Sequence, residues 1–342
     1  MTVSPLVIPI FIPHSGCPHQ CAFCDQKAIT GESSVFPDAL RVAEIIGRYL
    51  GQAARRSRVE VAFFGGNFLG LATGQILALM ESVRPFLDSG TVHGIRFSTR
   101  PDTVTRDRLA LIEPFPVCLV ELGVQTMADP VLKKMNRGHT REDTLRAMAL
   151  LREQGLAAGV QIMAGLPGDT AAGLVTTAQI LAAQKPLTAR IYPVLVLKNT
   201  LLARWYQDGT YQTLDLDSAV DLTCQAYRIF TRAGVTVIRM GLLTSQMDDQ
   251  AVLAGPRHPA FGHLVLCRHM YLKALEKLTA LGAGPEPGRI TLQVHPSQTS
   301  RMHGDRNGNL LQLKAAFPGY AFHVAADPAM APDQVKILRS PA

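Results

Sequence analysis

Over its first 200 residues the chain alternates short apolar runs with longer segments in which apolar residues recur at helical spacing. The apolar runs are rich in Val, Ile, Leu and Phe and are bounded by Gly or Pro, which is typical of buried strands. The predicted strands are Leu6–Pro13, Val59–Phe64, Val92–Thr99, Val117–Val124, Ala158–Ala164 and Thr188–Val196. The predicted helices are Pro37–Leu50, Gly74–Phe86, Arg106–Ile112, Asp129–Met135, Arg141–Gln154 and Ala171–Ala183.

Six strands that are each followed by a helix predict an α/β fold with a parallel sheet. Two arrangements are compatible with this pattern, an open doubly wound sheet or a barrel that is incomplete. In both, ligands bind at the carboxyl ends of the strands, so residues that carry chemistry are expected directly after the strands. Thr140 precedes the helix at Arg141 and is expected to cap it, because a threonine hydroxyl accepts from the free N–H groups of a first turn.

Beyond residue 200 the alternation changes. A long helix is predicted at Leu216–Ala233, a strand at Val235–Met240 and a mostly helical segment at Ala260–Leu281. The Gly- and Pro-rich stretch 283–288 predicts a break, after which short strands and a helix follow. The expected parts are the α/β unit in 1–200, a mostly helical extension in 201–284 that completes this domain, and a small α+β domain in 285–342.

The composition is that of a globular protein, with 47% hydrophobic and 18% charged residues in a chain of 342. No apolar run approaches the roughly 20 residues that span a bilayer. The N-terminus shows no secretion signal, so a cytoplasmic protein without membrane contact is expected. The 34 basic and 27 acidic residues give a net charge of +7, which favours anionic partners such as nucleic acid. Nothing in the sequence indicates the oligomeric state.

Three of the six cysteines, Cys17, Cys21 and Cys24, crowd into eight residues directly after the first predicted strand. Three thiolates on one short loop can bind three corners of a [4Fe–4S] cluster and leave one iron open to a small molecule. Phe23 precedes the third cysteine and can cover the site from solvent, which tunes the potential of a cluster. The other three cysteines lie far apart and are expected to be buried, inert thiols.

Two other interpretations of the cysteine loop stay open at this point. A zinc site could use His14 or His19 as its fourth ligand, although zinc sites more often pair two Cys-x2-Cys elements. The three cysteines could also be core residues that are grouped by chance. A metal site of either kind indicates a reducing compartment, where thiols persist.

The order Cys-x3-Cys-x-Phe-Cys after the first strand resembles the radical S-adenosylmethionine (SAM) superfamily. Gly65 and Gly66 follow the second strand, where family members carry a Gly-Gly motif whose backbone meets the SAM ammonium group. The run Gly123-Val-Gln-Thr126 and the later Arg137-Gly-His139 resemble the branch of Elongator-like and coproporphyrinogen-dehydrogenase-like enzymes. The resemblance covers about residues 6–200 and implies a partial (β/α)6 TIM-like barrel of parallel strands.

The resemblance also implies which side chains contact SAM, although Asn67 stands where the Gly-Gly motif more often continues with Glu, Ser or Thr. Ile162 lies in an element that packs on adenine in the family. Glu121 and Gln125 are candidate ligands because carboxylates and amides rarely lie unpaired in apolar strands, with a structural hydrogen bond as the alternative. The implied cofactor contacts are Phe23, Gly65, Gly66, Asn67, Ser98, Arg100, Glu121, Gln125, Ile162, Arg190 and Tyr192.

The resemblance implies an enzyme that cleaves SAM reductively at the cluster to give a 5′-deoxyadenosyl radical, with a flavodoxin or ferredoxin as one-electron donor. The Elongator-like motifs and the positive net charge favour tRNA as the substrate. A small metabolite or tetrapyrrole is the alternative from the coproporphyrinogen branch, and a non-catalytic iron–sulfur or metal-binding protein is a third hypothesis. The chain departs from the Elongator catalytic subunit, which spaces its first two cysteines further apart and adds an acetyltransferase domain.

Overall fold

The computed structural model describes residues 5–12, 16–25, 35–52, 58–242, 251–282 and 288–341. Among these, no helix has the length and apolar character needed to cross a membrane. His14 and residues 283–287, where the chain break is predicted, lie outside the described residues.

The helices and strands follow the predicted order closely. The strands are β1 (Leu6–Phe11), β2 (Val59–Phe64), β3 (Gly94–Thr99), β4 (Val117–Gln125), β5 (Ala158–Ala164), β6 (Thr188–Pro193), β7 (Val196–Leu197), β8 (Thr236–Met240), β9 (Val252–Ala254), β10 (Gly288–Val294), β11 (Tyr320–Ala326) and β12 (Val335–Pro341). The helices are α1 (Ala39–Gln52), α2 (Thr73–Asp88), α3 (Arg106–Ala110), α4 (Asp129–Lys134), α5 (Arg141–Glu153), α6 (Ala171–Ala183), α7 (Leu201–Gln207), α8 (Leu216–Arg232), α9 (Phe261–Ala280), α10 (Thr299–His303) and α11 (Gly308–Ala316).

Seven parallel strands form one sheet in the order β1-β2-β3-β4-β5-β6-β8, and this sheet curls into a half-barrel. The predicted α/β fold with a partial barrel is therefore confirmed. The sheet has one strand more than the six βα units of the prediction. The extra strand is β8, which pairs with β6 after the crossover helix α8 and so repeats the preceding pattern.

The helices between the strands cover the convex face of the sheet and form the main apolar core with it. A second core surrounds a three-stranded sheet in which β10 runs parallel to β11 and antiparallel to β12. Met270, Ala274 and Leu278 of α9 belong to this second core, whereas Phe261 and Val265 of the same helix pack with α8. Helix α9 therefore connects the half-barrel with the small α+β unit.

Local signals set the helix ends. Thr140 caps α5, since its hydroxyl accepts from the N–H of Asp143 and the Asp143 carboxylate accepts from the N–H of Thr140, as the sequence predicts. Thr200 caps α7, since its hydroxyl accepts from the N–H of Ala203. The sequence pattern did not predict α7, α10 or the short β7–β9 pair.

Candidate active site

The concave face of the half-barrel borders a cavity of about 840 Å³. The cysteine loop closes one part of it, and side chains from β1 to β6 and from β8 form the rest of the wall. Five arginines line the cavity, and among the described lining residues none is an aspartate or glutamate. The lining arginines are Arg96, Arg100, Arg137, Arg190 and Arg239. The polar part of the wall is therefore cationic and suited to anionic groups.

The loop that carries the cysteines is fastened to the segment that follows α4. The Ala22 N–H donates to the Met135 carbonyl at 3.0 Å, and Asn136 Nδ2 donates to the Gln20 carbonyl at 2.9 Å. On its other side the loop receives a bond from α7, where the Leu202 N–H donates to the Ala22 carbonyl at 2.8 Å. These contacts hold the cysteines beside the carboxyl ends of the strands.

Arg137 and Gly138 show why the Arg-Gly-His motif matters to this loop. Arg137 Nη1 donates to the sulfur of Cys21 at 3.2 Å, and Nη2 donates to the Gly123 carbonyl at the end of β4. Gly138 adopts φ +67°, and a Cβ atom there would lie 2.1 Å from the His19 ring. A glycine is therefore required for the close approach of the two loops.

Asn67, directly after Gly65 and Gly66, is fully buried and makes four hydrogen bonds. Its Nδ2 donates to the Gly16 carbonyl at 2.7 Å, next to the first cysteine. Its Oδ1 accepts from the Thr99 hydroxyl at 2.7 Å, the Thr103 hydroxyl at 2.9 Å and the Arg100 N–H at 3.0 Å. The side chain thus ties the start of the cysteine loop to the ends of β2 and β3.

Electrostatics at Cys17 and Cys24 favour the neutral thiol. Burial raises the pKa of Cys17 and raises that of Cys24 to about 12, and repulsion from neighbouring thiolates adds to both shifts. Arg137 opposes these shifts, which means that it stabilises the thiolate form. A thiophilic metal would bind here with release of protons. Within the described residues, no three His, Cys, Asp or Glu side chains are arranged around a single metal ion.

Two arginine nitrogens at the cysteine end of the cavity have spare capacity to donate. Arg100 forms a two-pronged ion pair with Asp102 at 3.0 Å, and Arg137 contacts Cys21 and Gly123. Arg100 Nη1 and Arg137 Nε are nevertheless buried without a hydrogen-bond partner in the described part of the chain. Because buried donors are normally paired, an anionic ligand is expected beside them.

A row of alternating charges crosses the concave face below the cysteine loop. Arg96 of β3 contacts Glu60 of β2 at 3.3 Å and Glu121 of β4 at 2.5 Å. Arg190 of β6 contacts both oxygens of Glu121, since its Nη2 donates to Oε1 at 2.9 Å and its Nε lies 2.6 Å from Oε2. Gln161 of β5 also donates to Glu121 at 3.3 Å. We call Glu60, Arg96, Glu121 and Arg190 the charge ladder; it contains two carboxylates and two guanidinium groups.

The structure brings most of the residues that the sequence singled out to one cavity. Cys17, Cys21, Cys24, Phe23, Gly65, Gly66, Ser98, Arg100, Gln125, Arg190 and Tyr192 all line it. Glu121, Asn67 and Ile162 are not part of the wall. Glu121 is 1% exposed beneath the ladder arginines, and Asn67 lies behind the glycines, so both support the wall through hydrogen bonds.

Ile162 is buried in the main core on the helix-facing side of β5. Its neighbours Gln161 and Met163 point to the cavity instead, because side chains alternate between the two faces of a strand. The sequence pattern did not indicate five lining residues as site residues: Arg96, Arg137, Gln161, Met163 and Arg239. Arg137 lies in a motif that the sequence does single out. Period-two spacing places Gln161 and Met163 on one face of β5 but does not say which face lines the cavity.

The chain is similar in sequence to several curated proteins. Over 219 residues the chain is 25% identical to an uncharacterised protein of Methanocaldococcus jannaschii, covering 61% of this chain and 67% of that protein. It is 27% identical over 285 residues to the tRNA uridine(34) acetyltransferase of Dehalococcoides mccartyi, covering 71% of this chain. Only 62% of that acetyltransferase is matched.

Among solved structures, Elp3 of Methanocaldococcus infernus with an N-terminal deletion matches with a TM-score of 0.60 at 20% identity. The match covers 81% of this chain and 63% of that one, and it concerns the fold. A model of the radical SAM C-terminal domain matches residues 186–271, and the model of the radical SAM superfamily matches residues 11–181, which is half of the chain. The cavity with its three cysteines thus lies in a radical SAM domain, and this chain is an enzyme of the radical SAM superfamily.

Proposed function

We propose that Cys17, Cys21 and Cys24 hold a [4Fe–4S] cluster, that SAM binds beside it in the cavity, and that the enzyme modifies tRNA. The observation that carries the proposal is the cavity wall, where the three thiols of one loop face unpaired guanidinium donors. Thiols, with an arginine that donates to one sulfur, suit an anionic iron–sulfur cluster. The spare nitrogens of Arg100 and Arg137 suit the carboxylate of SAM.

The bound cofactors would supply one-electron cleavage of SAM to a 5′-deoxyadenosyl radical that abstracts hydrogen from the substrate. The chain's own residues orient and shield these groups. Asn67 and the segment 135–139 fix the cysteine loop, and the Gly65-Gly66 turn lets backbone approach a ligand closely. Phe23 covers the loop from the side, which limits water at the reacting atoms. The electron comes from a flavodoxin or ferredoxin type of donor.

Support for tRNA comes from relatives and charge together. A relative that matches 71% of this chain bears the name tRNA uridine(34) acetyltransferase, and the chain spans 62% of its length. The cavity is lined by arginines, and the whole chain carries a net charge of +7, which favours a polyanionic substrate. The modification itself is therefore proposed as radical chemistry on a nucleotide.

The test begins with anaerobic reconstitution of the protein with iron and sulfide, followed by reduction and addition of SAM. We expect the wild type to bind about four irons and to form 5′-deoxyadenosine. Cys17→Ala, Cys21→Ala and Cys24→Ala are each expected to lose both. Cys118→Ala is the matched control, because this half-buried cysteine lies outside the cavity, where its sulfur donates to the Ile95 carbonyl at 3.3 Å.

Two results would contradict the proposal. Stoichiometric zinc in place of iron would show that the three cysteines do not hold an iron–sulfur cluster. If the cluster assembles but SAM stays intact, both with and without added tRNA, the proposed radical chemistry is contradicted. The tRNA assignment is checked separately, by digesting tRNA incubated with the active enzyme and comparing its nucleoside masses with an untreated sample. Unchanged masses alongside 5′-deoxyadenosine formation would redirect the search to small substrates.

A further inference from the structure

Beyond Arg190, the last member of the charge ladder, β8 adds a guanidinium, that of Arg239. Arg239 is the partner of Arg190 in the register between β6 and β8, so it stands next in line after the two neutralised pairs. No hydrogen bond or ion pair of its side chain exists within the part of the chain that the structure describes. The concave face therefore carries one cationic group in excess at this end.

The surroundings of Arg239 destabilise its positive charge. Its side chain is half-buried on the cavity wall, and burial together with Arg190 lowers its pKa. Glu121 and the Tyr192 hydroxyl oppose this effect, but Glu121 already serves Arg96 and Arg190. A cation in such a position is stabilised when an anion binds to it.

The anion for Arg239 differs from the one at the cysteines. Cys17 interacts with Cys21 and with the charges of Arg100, Arg137 and Asp102. Arg239 interacts with a different set, Arg190, Glu121 and the Tyr192 phenol. The two groups of arginines thus serve separate parts of one cavity. With SAM at the cysteine end, Arg239 is available to a second molecule.

The wall of the cavity beside Arg239 is open at β8. Strand β8 is an edge strand, and its Thr236 and Ile238 are both exposed and part of the cavity wall. The half-barrel is therefore accessible from outside beside Arg239.

We propose that Arg239 binds a backbone phosphate of the RNA substrate, at the point where a nucleotide enters the half-barrel beside β8. This inference rests on the proposed function. Enzymes that act on a base take it out of the stack and into a pocket, which brings the flanking phosphates to the rim. A guanidinium at the rim of a pocket matches a phosphate because it can donate two parallel hydrogen bonds. Phe64, which faces Arg190 at 4.9 Å, offers an aromatic surface for the extruded base inside.

The test measures binding of an in vitro transcribed tRNA to the reconstituted enzyme in the presence of SAM, over a range of salt concentrations. Arg239→Gln is expected to weaken binding about tenfold and to reduce the slope of log affinity against log salt by about one. Arg239→Lys should keep the salt slope, since it keeps the charge. Arg232→Gln is the matched control, because it removes an exposed arginine from the last turn of the helix before β8 and should bind like wild type.

A second measurement guards against loss of folding in Arg239→Gln. A series of RNA stem–loops with one neutral methylphosphonate each is bound to wild type, to Arg239→Lys and to Arg239→Gln. We expect one position at which neutralisation weakens binding to wild type and to Arg239→Lys about tenfold but hardly affects Arg239→Gln, which is a coupling energy between phosphate and side chain. A variant with a folding defect would instead bind every stem–loop more weakly by a similar factor. The absence of any coupled position would overturn the inference.

The failures of the two proposals are distinguishable. The phosphate contact alone is overturned if the wild-type protein makes 5′-deoxyadenosine but binds tRNA with the same affinity and salt slope as Arg239→Gln. Wild-type protein that makes 5′-deoxyadenosine but does not bind tRNA also overturns it. Wild-type protein that assembles no cluster overturns the proposed function, and the phosphate contact with it.

Discussion

At the residue scale, Asn67 connects three segments that are far apart in the sequence. It joins Gly16 in the cysteine loop to Thr99 and Thr103 after β3, across 51 and 32 or more positions. An amide is needed here because the same side chain must donate to a carbonyl and accept from hydroxyls. A glutamate at this position, which is more usual in the family that the motif resembles, could only accept when ionised.

Asn67→Asp tests this role. The carboxylate keeps the acceptor but loses the donor, and it faces the Gly16 carbonyl at hydrogen-bond distance. We expect a loss of about 1–3 kcal/mol in the free energy of unfolding, because a buried carbonyl is left unpaired. Iron content after reconstitution should fall as well. The control is Asn199→Asp, an exposed asparagine; equal iron content in both variants would contradict the role.

Gly138 gives a second prediction at this scale, with a closely matched control. Gly138 and Gly155 have φ of +67° and +68°, but only at Gly138 would a Cβ meet another group, the His19 ring at 2.1 Å. Both alanine variants should lose roughly 1 kcal/mol of stability through backbone strain. Only Gly138→Ala should also lose iron, because it displaces the cysteine loop.

A rescue variant separates the two effects of Gly138→Ala. His19→Ala removes the ring that the new methyl group would meet. The double variant should regain iron while keeping the strain cost of Gly155→Ala, measured by metal analysis and by denaturant unfolding. Iron loss that persists in the double variant would mean that the His19 contact is not the cause.

At the element scale, the charge ladder connects four strands across the concave face. Glu121 of β4 neutralises Arg96 of β3 and Arg190 of β6, and Arg96 in turn reaches Glu60 of β2. The ladder adds side-chain ion pairs between strands that are also joined by backbone hydrogen bonds and by packing on the convex face.

Glu121→Gln measures the contribution of the ladder. The variant leaves two buried guanidinium groups without their shared carboxylate, so we expect a loss of about 3–5 kcal/mol in the free energy of unfolding. The comparison is Glu153→Gln, whose carboxylate pairs with Arg106 at 2.9 Å on the surface and should cost no more than about 1 kcal/mol. Similar losses in both variants would show that the ladder does not stabilise the sheet.

At the scale of the whole molecule, stability should depend on pH through two buried histidines. Burial lowers the pKa of His139 to about 3 and that of His269 to about 4. In the unfolded chain both titrate near pH 6.5, so the unfolded state binds more protons between these values. The two histidines therefore contribute fully to the free energy of unfolding above pH 6.5, and this contribution is lost as the pH falls towards 4.

His269→Phe isolates one of these contributions away from the cavity. The ring packs edge-on against Tyr227 at 5.1 Å between α8 and α9, and phenylalanine can keep that packing. Between pH 7 and pH 5 the free energy of unfolding should fall less in the variant than in wild type. The difference should be at most roughly 1.4 kcal/mol per pH unit, which is the effect of one proton. His323→Phe, at an exposed position on β11, should follow the wild-type curve, and a shared curve for all three proteins would refute the assignment.

The sequence by itself determined the alternation of strands and helices and the loop that carries three cysteines. Both are local properties, because apolar periodicity sets each element and the spacing of Cys17, Cys21 and Cys24 is fixed along the chain. The parallel direction of the strands and the carboxyl-end position of the site follow from that alternation together with the fixed handedness of βα crossovers. The alternation left open whether the sheet is open or curled, and the fold shows that it is curled.

Only the tertiary structure decided which side chains meet. Arg137 and Cys21 are 116 residues apart, and their contact depends on how two loops pack. The strands are buried on both faces, so period-two spacing could not say that Met163 faces the cavity and Ile162 the helices. The unpaired charge of Arg239 follows from the position of β8 beside β6 in the sheet. Whether a charge is paired depends on its neighbours in space, and the sequence gives only its neighbours along the chain.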